Sequence, residues 1–255
     1  MSRDRTEAAE AIDDHGEAAA AAALRRAERR SGVTIHLEPP TRRERWLYGF
    51  IRAALIGFAR FWLRVEYVGL EQVPADRPFI LAPVHRSNID FLLAAGCARR
   101  RQRFLGKDTL WKPGFGRLWS ALGGIPVARG TADREALRAC QKVIEIGEPL
   151  VMFPEGTRQV GPKVQPLFDG PAYVQSRTGV PIVPVGIGGS ERAMPKGAKL
   201  IRPTKVVVII GAPLEIPQVD GAKAKRAAVR TQTAALHDRV QALFDEAQAR
   251  AGTPN

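Results

Sequence analysis

The sequence predicts an α/β fold with a mixed, mainly parallel sheet flanked by helices and preceded by an amphipathic helix. Short apolar, β-prone runs lack strict alternation of apolar and polar residues, which is typical of strands buried on both faces. Helical stretches separate these runs, as expected for the connections of a parallel sheet. The predicted strands are Pro78–Pro83, Pro149–Phe153, Val180–Val185 and Lys205–Ile210. The predicted helices are Asp90–Arg101, Ala132–Gly147, Pro171–Thr178 and Lys223–Ala251.

The length and the charge of the chain set its organisation. The 255 residues suit one large domain with an appendage, and the net charge is +13 at pH 7. We expect a helical or disordered leader at residues 1–40, an amphipathic helix at 41–66 and a folded domain at 67–255. Residues 41–130 hold sixteen Lys and Arg against six Asp and Glu. This excess predicts an anionic partner: nucleic acid, an anionic membrane surface or a phosphorylated ligand.

Several common kinds of site are excluded by the sequence. Cys97 and Cys140 are too few for a disulfide framework and lack metal-ligand spacing, so we expect two buried thiols. Gly106-Lys107 is followed by Asp108 and therefore does not form a P-loop. The sequence also contains no His-Glu-x-x-His zinc motif and no Gly-x-Ser-x-Gly elbow.

The amphipathic helix is predicted from residues 46–63, which read WLYGFIRAALIGFARFWL. Arg52 and Arg60 interrupt an apolar run that would otherwise approach the length of a membrane span. On a helix these two residues share one stripe with Arg45, while aromatic and aliphatic residues occupy the remaining surface. The pattern favours a helix lying in a bilayer interface, attached peripherally. The alternative is a helix packed on the domain's own core, with its arginines reaching water.

A histidine and an aspartate follow the first predicted strand, where α/β folds bind ligands. His85 and Asp90 would lie about 140° apart on one continuous helix and could not meet. If the helix begins at Ser87, Asp90 lies in its first turn and can face the imidazole. A carboxylate at one ring nitrogen fixes the tautomer and leaves the other nitrogen as a general base. Ser87 and Asp90 would alternatively form only a helix cap, and the spacing does not decide between these interpretations.

A second polar segment follows the strand that ends at Phe153. Its residues Glu155, Gly156, Thr157 and Arg158 supply a carboxylate, a permissive glycine, a hydroxyl and a guanidinium. Backbone N–H groups around the glycine, together with the guanidinium, could bind a phosphate monoester. The alternative is an ordinary turn with a Glu–Arg pair on the surface.

Four segments in this order resemble the lysophospholipid acyltransferases of the 1-acylglycerol-3-phosphate acyltransferase type. His85–Asp90 (HRSNID) is similar to the family's His-x4-Asp block, and Gly124–Arg129 (GIPVAR) to its second block. Phe153–Arg158 (FPEGTR) is the third block in its commonest form, and Val180–Val185 (VPIVPV) is similar to the fourth. The resemblance covers about residues 45–215.

The resemblance implies an activity and a role for each site residue. His85 would remove the proton from the free hydroxyl of 1-acylglycerol 3-phosphate, and Asp90 would hold the imidazole. Acyl-CoA or acyl carrier protein would donate the acyl group, phosphatidate would form, and neither a cofactor nor a metal is expected. Five residues are assigned to the acceptor phosphate or its pocket: Arg129, Glu155, Gly156, Thr157 and Arg158.

The resemblance also favours particular partners over others. It implies a membrane lipid acceptor and an anionic membrane surface rather than nucleic acid, with peripheral attachment at the cytoplasmic face of the cell membrane. Two alternatives remain. One is an acyltransferase for another acceptor, such as glycerol 3-phosphate, another lysophospholipid or a glycolipid precursor. The other is a non-catalytic, basic membrane-binding protein.

Overall fold

A computed structural model describes residues 41–107, 119–120, 122–127, 134–216 and 221–253. The predicted leader at 1–40 lies outside these ranges. The helices are α1 (Arg42–Trp62), α2 (Asp90–Ala95), α3 (Arg134–Glu145), α4 (Gly170–Thr178), α5 (Ser190–Ala193) and α6 (Ala222–Arg250). The strands are β1 (Glu66–Val68), β2 (Ile80–Pro83), β3 (Arg103–Lys107), β4 (Gly124–Val127), β5 (Leu150–Val151), β6 (Ile182–Gly188) and β7 (Val207–Ile210).

The strands form one seven-stranded sheet in the order β1-β7-β6-β2-β5-β3-β4. Neighbouring strands run parallel except β6 and β7, which are antiparallel. This arrangement confirms the prediction of a mixed, mainly parallel sheet flanked by helices. Every residue of β2, β6 and β7 is buried, which explains why these runs show no alternation of apolar and polar residues.

The strands β1, β3 and β4 were not predicted from the sequence. β1 has only three residues, and its first one is exposed. β3 begins and ends with a basic residue, and β4 contains a glycine and a proline. β1 is too short to be recognised from its pattern, and the strand propensities of β3 and β4 are weak, so pairing with neighbouring strands decides their conformation.

The helix α2 is shorter than predicted because contacts from elsewhere in the fold end it at Ala95. A Cβ on Gly96 would lie 1.9 Å from the Tyr67 hydroxyl, so only glycine allows this approach. That hydroxyl donates a hydrogen bond to a carbonyl of α2 at 3.0 Å. Arg52 of α1 donates to the carbonyls of Ala95 and Gly96. The carbonyls at the end of α2 are therefore satisfied by side chains from β1 and α1.

The helix α1 forms where it was predicted, but its arginines do not all face water. It begins with a capping box between Thr41 and Glu44. Arg52 is half-buried against α2, so the arginines of α1 do not all reach water, whereas the alternative of a core-packed helix expected them to do so. Trp46 and Phe50, by contrast, are 72% and 62% exposed. No helix in the described ranges has the length and apolarity that a membrane crossing requires.

Both cysteines are free and buried, as predicted. Burial raises the pKa of the Cys97 thiol to about 12, and it does the same for the pKa of Cys140. Neither thiol is therefore ionised near neutral pH.

The helix α6 packs closely on β6 at two glycines of the strand. A Cβ on Gly186 would lie 2.3 Å from the backbone of Leu243, and one on Gly188 would lie 2.2 Å from that of Ala247. These are distances that real Cβ atoms essentially never show. The two glycines therefore set the spacing between the helix and the sheet.

We predict that Gly186→Ala lowers the free energy of unfolding by about 1–3 kcal/mol, because the added methyl group must displace α6. Gly57→Ala is the matched control. Nothing lies within 4 Å of a Cβ at that position on α1, so it should leave stability unchanged or raise it by up to about 1 kcal/mol. Urea titration followed by circular dichroism measures both. Equal stability of the Gly186→Ala variant and the parent protein would contradict this packing argument.

Candidate active site

The two polar segments predicted from the sequence meet at one edge of the sheet. β2 and β5 are parallel neighbours, so the loops that follow them leave the sheet side by side. The backbone N–H of His85 donates to Glu155 Oε2 at 2.9 Å, and the N–H of Gln159 donates to the carbonyl of His85 at 2.9 Å. Hydrogen bonds in both directions therefore hold the two loops together.

His85 and Asp90 are in direct contact. Nδ1 of the imidazole lies 3.0 Å from Asp90 Oδ2, and Asp90 is fully buried at the start of α2. The same carboxylate oxygen accepts the backbone N–H groups of Arg86 and Ser87, each at 2.6 Å. Asp90 thus orients the turn as well as the imidazole. The alternative of a cap formed by Ser87 is not what the structure shows, because the N-cap residue of α2 is Ile89 and no side chain caps it.

The imidazole of His85 is fixed on a second side by Phe153. The two rings stack with centroids 4.1 Å apart and planes 28° apart. Because Asp90 occupies Nδ1, the tautomer with a lone pair on Nε2 is favoured. No residue in the described part of the chain bonds to Nε2, and the side chain keeps 13% exposure. This arrangement can accept a proton from a hydroxyl group that approaches Nε2.

Arg86 lies in the HRSNID segment but was not predicted to be a site residue. The structure shows it buried, at 1% exposure. Its Nη1 lies 2.8 Å from both carboxylate oxygens of Glu155. It also donates to the carbonyls of Gly161 and Lys163, and its guanidinium lies 4.8 Å above the ring of Phe244 in α6. Arg86 therefore joins the loop after β2, the loop after β5 and α6.

The carboxylate of Glu155 lies behind the site, inside the protein. Its side chain has no solvent exposure, and it accepts from Arg86, from the backbone of His85 and from the backbone of Gln165. The alternative of a surface Glu–Arg pair within the FPEGTR segment is therefore wrong, because the ionic partner is Arg86 and the pair is buried.

Gly156 is required by the turn that Glu155 begins. Its φ is +68°, and a Cβ there would lie 2.7 Å from the ring of Phe168. The N–H of Gly156 already donates to the carbonyl of Phe153, and that of Thr157 donates to the carbonyl of Glu155. The prediction that backbone N–H groups around this glycine bind a phosphate is therefore corrected, because hydrogen bonds within the turn use both of these donors.

Arg158 keeps a donor available at this edge. Its Nη1 is buried and makes no hydrogen bond within the described part of the chain. An unpaired buried guanidinium N–H is costly, and a bound phosphate or carboxylate would satisfy it. Its neighbour Gln159 bonds to the carbonyl of His85, so the backbone at Arg158 lies beside the imidazole segment. Thr157 is exposed next to it, whereas Arg129 lies outside the described residues.

The chain is similar to known proteins. Residues 64–188, which run from just before β1 to the end of β6, match the family model described as Acyltransferase. The chloroplastic 1-acyl-sn-glycerol-3-phosphate acyltransferase of Brassica napus is 29% identical over 158 residues, covering 59% of this chain and 45% of that protein. The protein of the same name from Bacillus subtilis is 26% identical over 182 residues, covering 70% of this chain and 87% of that protein.

A solved structure shares the fold. The crystal structure of the 1-acyl-sn-glycerophosphate acyltransferase PlsC from Thermotoga maritima superposes with a TM-score of 0.58 and 26% identity, covering 75% of this chain and 80% of that one. The chain spans less than half the length of the Brassica napus relative. The matched interval contains the His85–Asp90 pair and the loop of Arg158. The chain belongs to the acyltransferase family, among relatives named 1-acyl-sn-glycerol-3-phosphate acyltransferases.

Proposed function

We propose that the protein transfers a fatty acyl group from acyl-CoA or acyl carrier protein to the free hydroxyl of 1-acylglycerol 3-phosphate, giving phosphatidate. The observation that carries this proposal is the 3.0 Å contact between His85 Nδ1 and Asp90, which leaves Nε2 available to a hydroxyl group. The names of the relatives support the acceptor.

In the proposed reaction Nε2 of His85 removes the proton from the acceptor hydroxyl. The hydroxyl oxygen attacks the thioester carbonyl, so a C–O bond forms and the C–S bond breaks. The imidazolium then returns its proton to the leaving thiolate. Asp90 stabilises the imidazolium, and the face of the Phe153 ring lies against it. A positioned base of this kind contributes roughly 10²–10⁴-fold in rate.

The acceptor phosphate is proposed to bind to Arg158. This assignment is supported by its unpaired Nη1 and by the hydrogen bond that holds the adjacent Gln159 against His85. Thr157 is exposed beside it and would donate its hydroxyl, while Glu155 and Gly156 would shape the pocket from behind. Arg129 is proposed as a second phosphate ligand from its place in the second sequence block.

The membrane partner is proposed to contact the exposed face of α1. Trp46 stacks on Phe50 with ring centroids 5.7 Å apart, and both rings are largely exposed. Exposed aromatic rings beside arginines favour the interface of a bilayer. We place the attachment at the cytoplasmic face, where acyl-CoA and acyl carrier protein are present.

The membrane contact predicts that Phe50→Ser weakens binding of the full chain to neutral phosphatidylcholine vesicles by roughly 10-fold, because a large apolar side chain is lost from the interface. Flotation of the protein with these vesicles measures the effect. Leu70→Ser, at an exposed leucine outside α1, is the control and should bind like the parent protein. Unchanged flotation of the Phe50→Ser variant would rule out α1 as the contact.

The base assignment predicts that His85→Ala lowers thiol release by roughly 10²–10⁴-fold, while vesicle binding and Tm stay close to those of the parent protein. His237 provides a matched control, because its Nδ1 lies 3.3 Å from Asp238 in a second, more exposed His–Asp pair. His237→Ala should keep its activity. Substantial turnover by the His85→Ala variant would refute the role of this imidazole as the base.

The phosphate assignment predicts that Arg158→Ala raises the KM for 1-acylglycerol 3-phosphate by roughly 10- to 100-fold, as expected for the loss of a charge-assisted hydrogen bond. The KM for the acyl donor should change by less than about twofold, since only the acceptor bond is lost. Arg239→Ala, at an exposed arginine of α6, is the control. Equal changes in both KM values would remove Arg158 from the acceptor site. An acceptor panel that favoured glycerol 3-phosphate would contradict the proposed substrate.

A further inference from the structure

A basic groove opens at the same edge of the sheet as His85, on the far side of β6. β7 is antiparallel to β6, and β1 is parallel to β7, so the starts of β1 and β7 lie at the carboxyl end of β6. The groove has a volume of about 780 Å³. Two strand spacings, about 10 Å, separate β7 from the strand that leads to His85.

The charge that lines this groove is strongly positive. Its charged residues are Arg64, Glu191, Arg192, Arg202 and Lys205. Two of the four cations have partners: Lys205 lies 3.3 Å from Glu66, and Arg192 donates to the carbonyl of Ala251 at 3.0 Å.

Two guanidinium groups in the groove remain unpaired. The side chains of Arg64 and Arg202 are exposed and make no ion pair or hydrogen bond with the described residues. Guanidinium groups have the donor geometry that binds phosphate. The groove therefore offers two phosphate ligands that the described part of the fold does not use.

The backbone at Arg64 supports a role for its side chain. Its φ is +46°, and it is the one non-glycine residue with a positive φ in the described ranges. Glycine or asparagine would adopt this conformation more easily. The strand pairing fixes the segment, because Val206 donates to the carbonyl of Leu63 and Glu66 donates to that of Val206, both at 3.0 Å. Residues in strained backbone conformations cluster at functional sites, so the conformation of Arg64 supports a binding role for its side chain.

Exposed apolar side chains beside the groove favour a lipid surface over a soluble phosphate as its ligand. Phe61 at the end of α1 is 82% exposed, and Leu200 in the loop between α5 and β7 is 80% exposed. The indole N–H of Trp62 donates to the carbonyl of Ile201 at 3.0 Å, which holds this loop against α1. A soluble phosphate would need only the guanidinium groups, whereas a bilayer surface contacts both cations and apolar side chains.

We propose that this groove, together with Phe61 and Leu200, is a second membrane-contact surface that binds the phosphate groups of anionic lipids. The inference extends the proposed membrane attachment of α1 to a second element and rests on that part of the proposed function. The loop that lines the groove is tied to the active site, because the Ser87 hydroxyl donates to the carbonyl of Met194 at 2.8 Å. Binding at the groove would thus turn the edge that carries His85 towards the bilayer.

The test measures partition of the full chain onto phosphatidylcholine vesicles with and without phosphatidylglycerol, in the absence of substrates. The double variant Arg64→Asn with Arg202→Gln should lower partition onto the anionic vesicles by roughly 10- to 30-fold. Each basic residue near an anionic surface strengthens binding by roughly three- to sixfold, and two are lost. Its partition onto neutral vesicles should not change. Its Tm should not fall, because asparagine accepts the backbone conformation at position 64.

The matched control is Arg226→Gln with Arg230→Gln, which removes the same charge from the other end of α6. Arg226 lies 25 residues along the helix from Ala251, which corresponds to about 38 Å. The control should partition like the parent protein. Equal losses of vesicle partition in the two double variants would show that only the net charge of the protein matters, and this would overturn the proposal. Unchanged partition of the groove variant would overturn it as well.

Two further measurements distinguish a lipid surface from a soluble ligand or a substrate at the groove. Binding of glycerol 3-phosphate that disappears in the groove variant, with unchanged vesicle partition, would make the groove a soluble-ligand site and overturn the proposal. A loss of thiol release as large as that of His85→Ala with a soluble short-chain acceptor would place the groove in the substrate site, with the same consequence. Because vesicle binding is measured without turnover, failure of the acyltransferase proposal leaves this result interpretable.

Discussion

The buried ion pair between Arg86 and Glu155 is the interaction on which the site depends. Taking both charges out of water costs several kcal/mol for each ion, so the pair is stable only if its hydrogen bonds are satisfied. This condition is met for both side chains: the guanidinium bonds three backbone carbonyls besides the carboxylate, and the carboxylate accepts two backbone N–H groups. Loss of either partner would leave an uncompensated buried charge, which costs about 3–5 kcal/mol. The two loops therefore keep one relative position.

That fixed position explains how a short loop holds an imidazole. His85 precedes Arg86 in the chain, and its own N–H and carbonyl are bonded by the loop after β5. Its ring then contacts Asp90 on one side and Phe153 on the other, and both contacts restrict its rotation. Few torsions remain to be fixed when substrate binds, which is the condition for efficient proton transfer by a positioned base. The position of the imidazole is therefore fixed by contacts between neighbouring loops, not by a long helix or strand.

The sequence predicts those features that depend on local pattern and misses those that depend on long-range contacts. Uninterrupted apolar runs identified β2, β6 and β7, whereas β3 and β4 carry charged, glycine or proline residues and form only by pairing. A helix start near Ser87 made contact between Asp90 and His85 possible, but the spacing alone did not decide between this contact and a helix cap. The burial of Arg86 could not be predicted, because its partner Glu155 lies 69 residues away and arginine is usually a surface residue. The end of α2 was missed for the same reason, since Arg52 and Tyr67 are distant in sequence.

The net charge of +13 pointed to an anionic partner, but the fold shows that its cations act in different ways. Arg86 and Arg103 are buried in ion pairs with glutamates and add little to the attraction of an external anion. Burial, and then the neighbouring Arg103, lower the pKa of Arg101 in the same internal network. The cations that remain for ligands are those without partners among the described residues, such as Arg158 and Arg64. Both lie at the edge of the sheet where β2, β5 and β6 end, so an anionic lipid substrate and an anionic membrane surface would approach the same side of the protein.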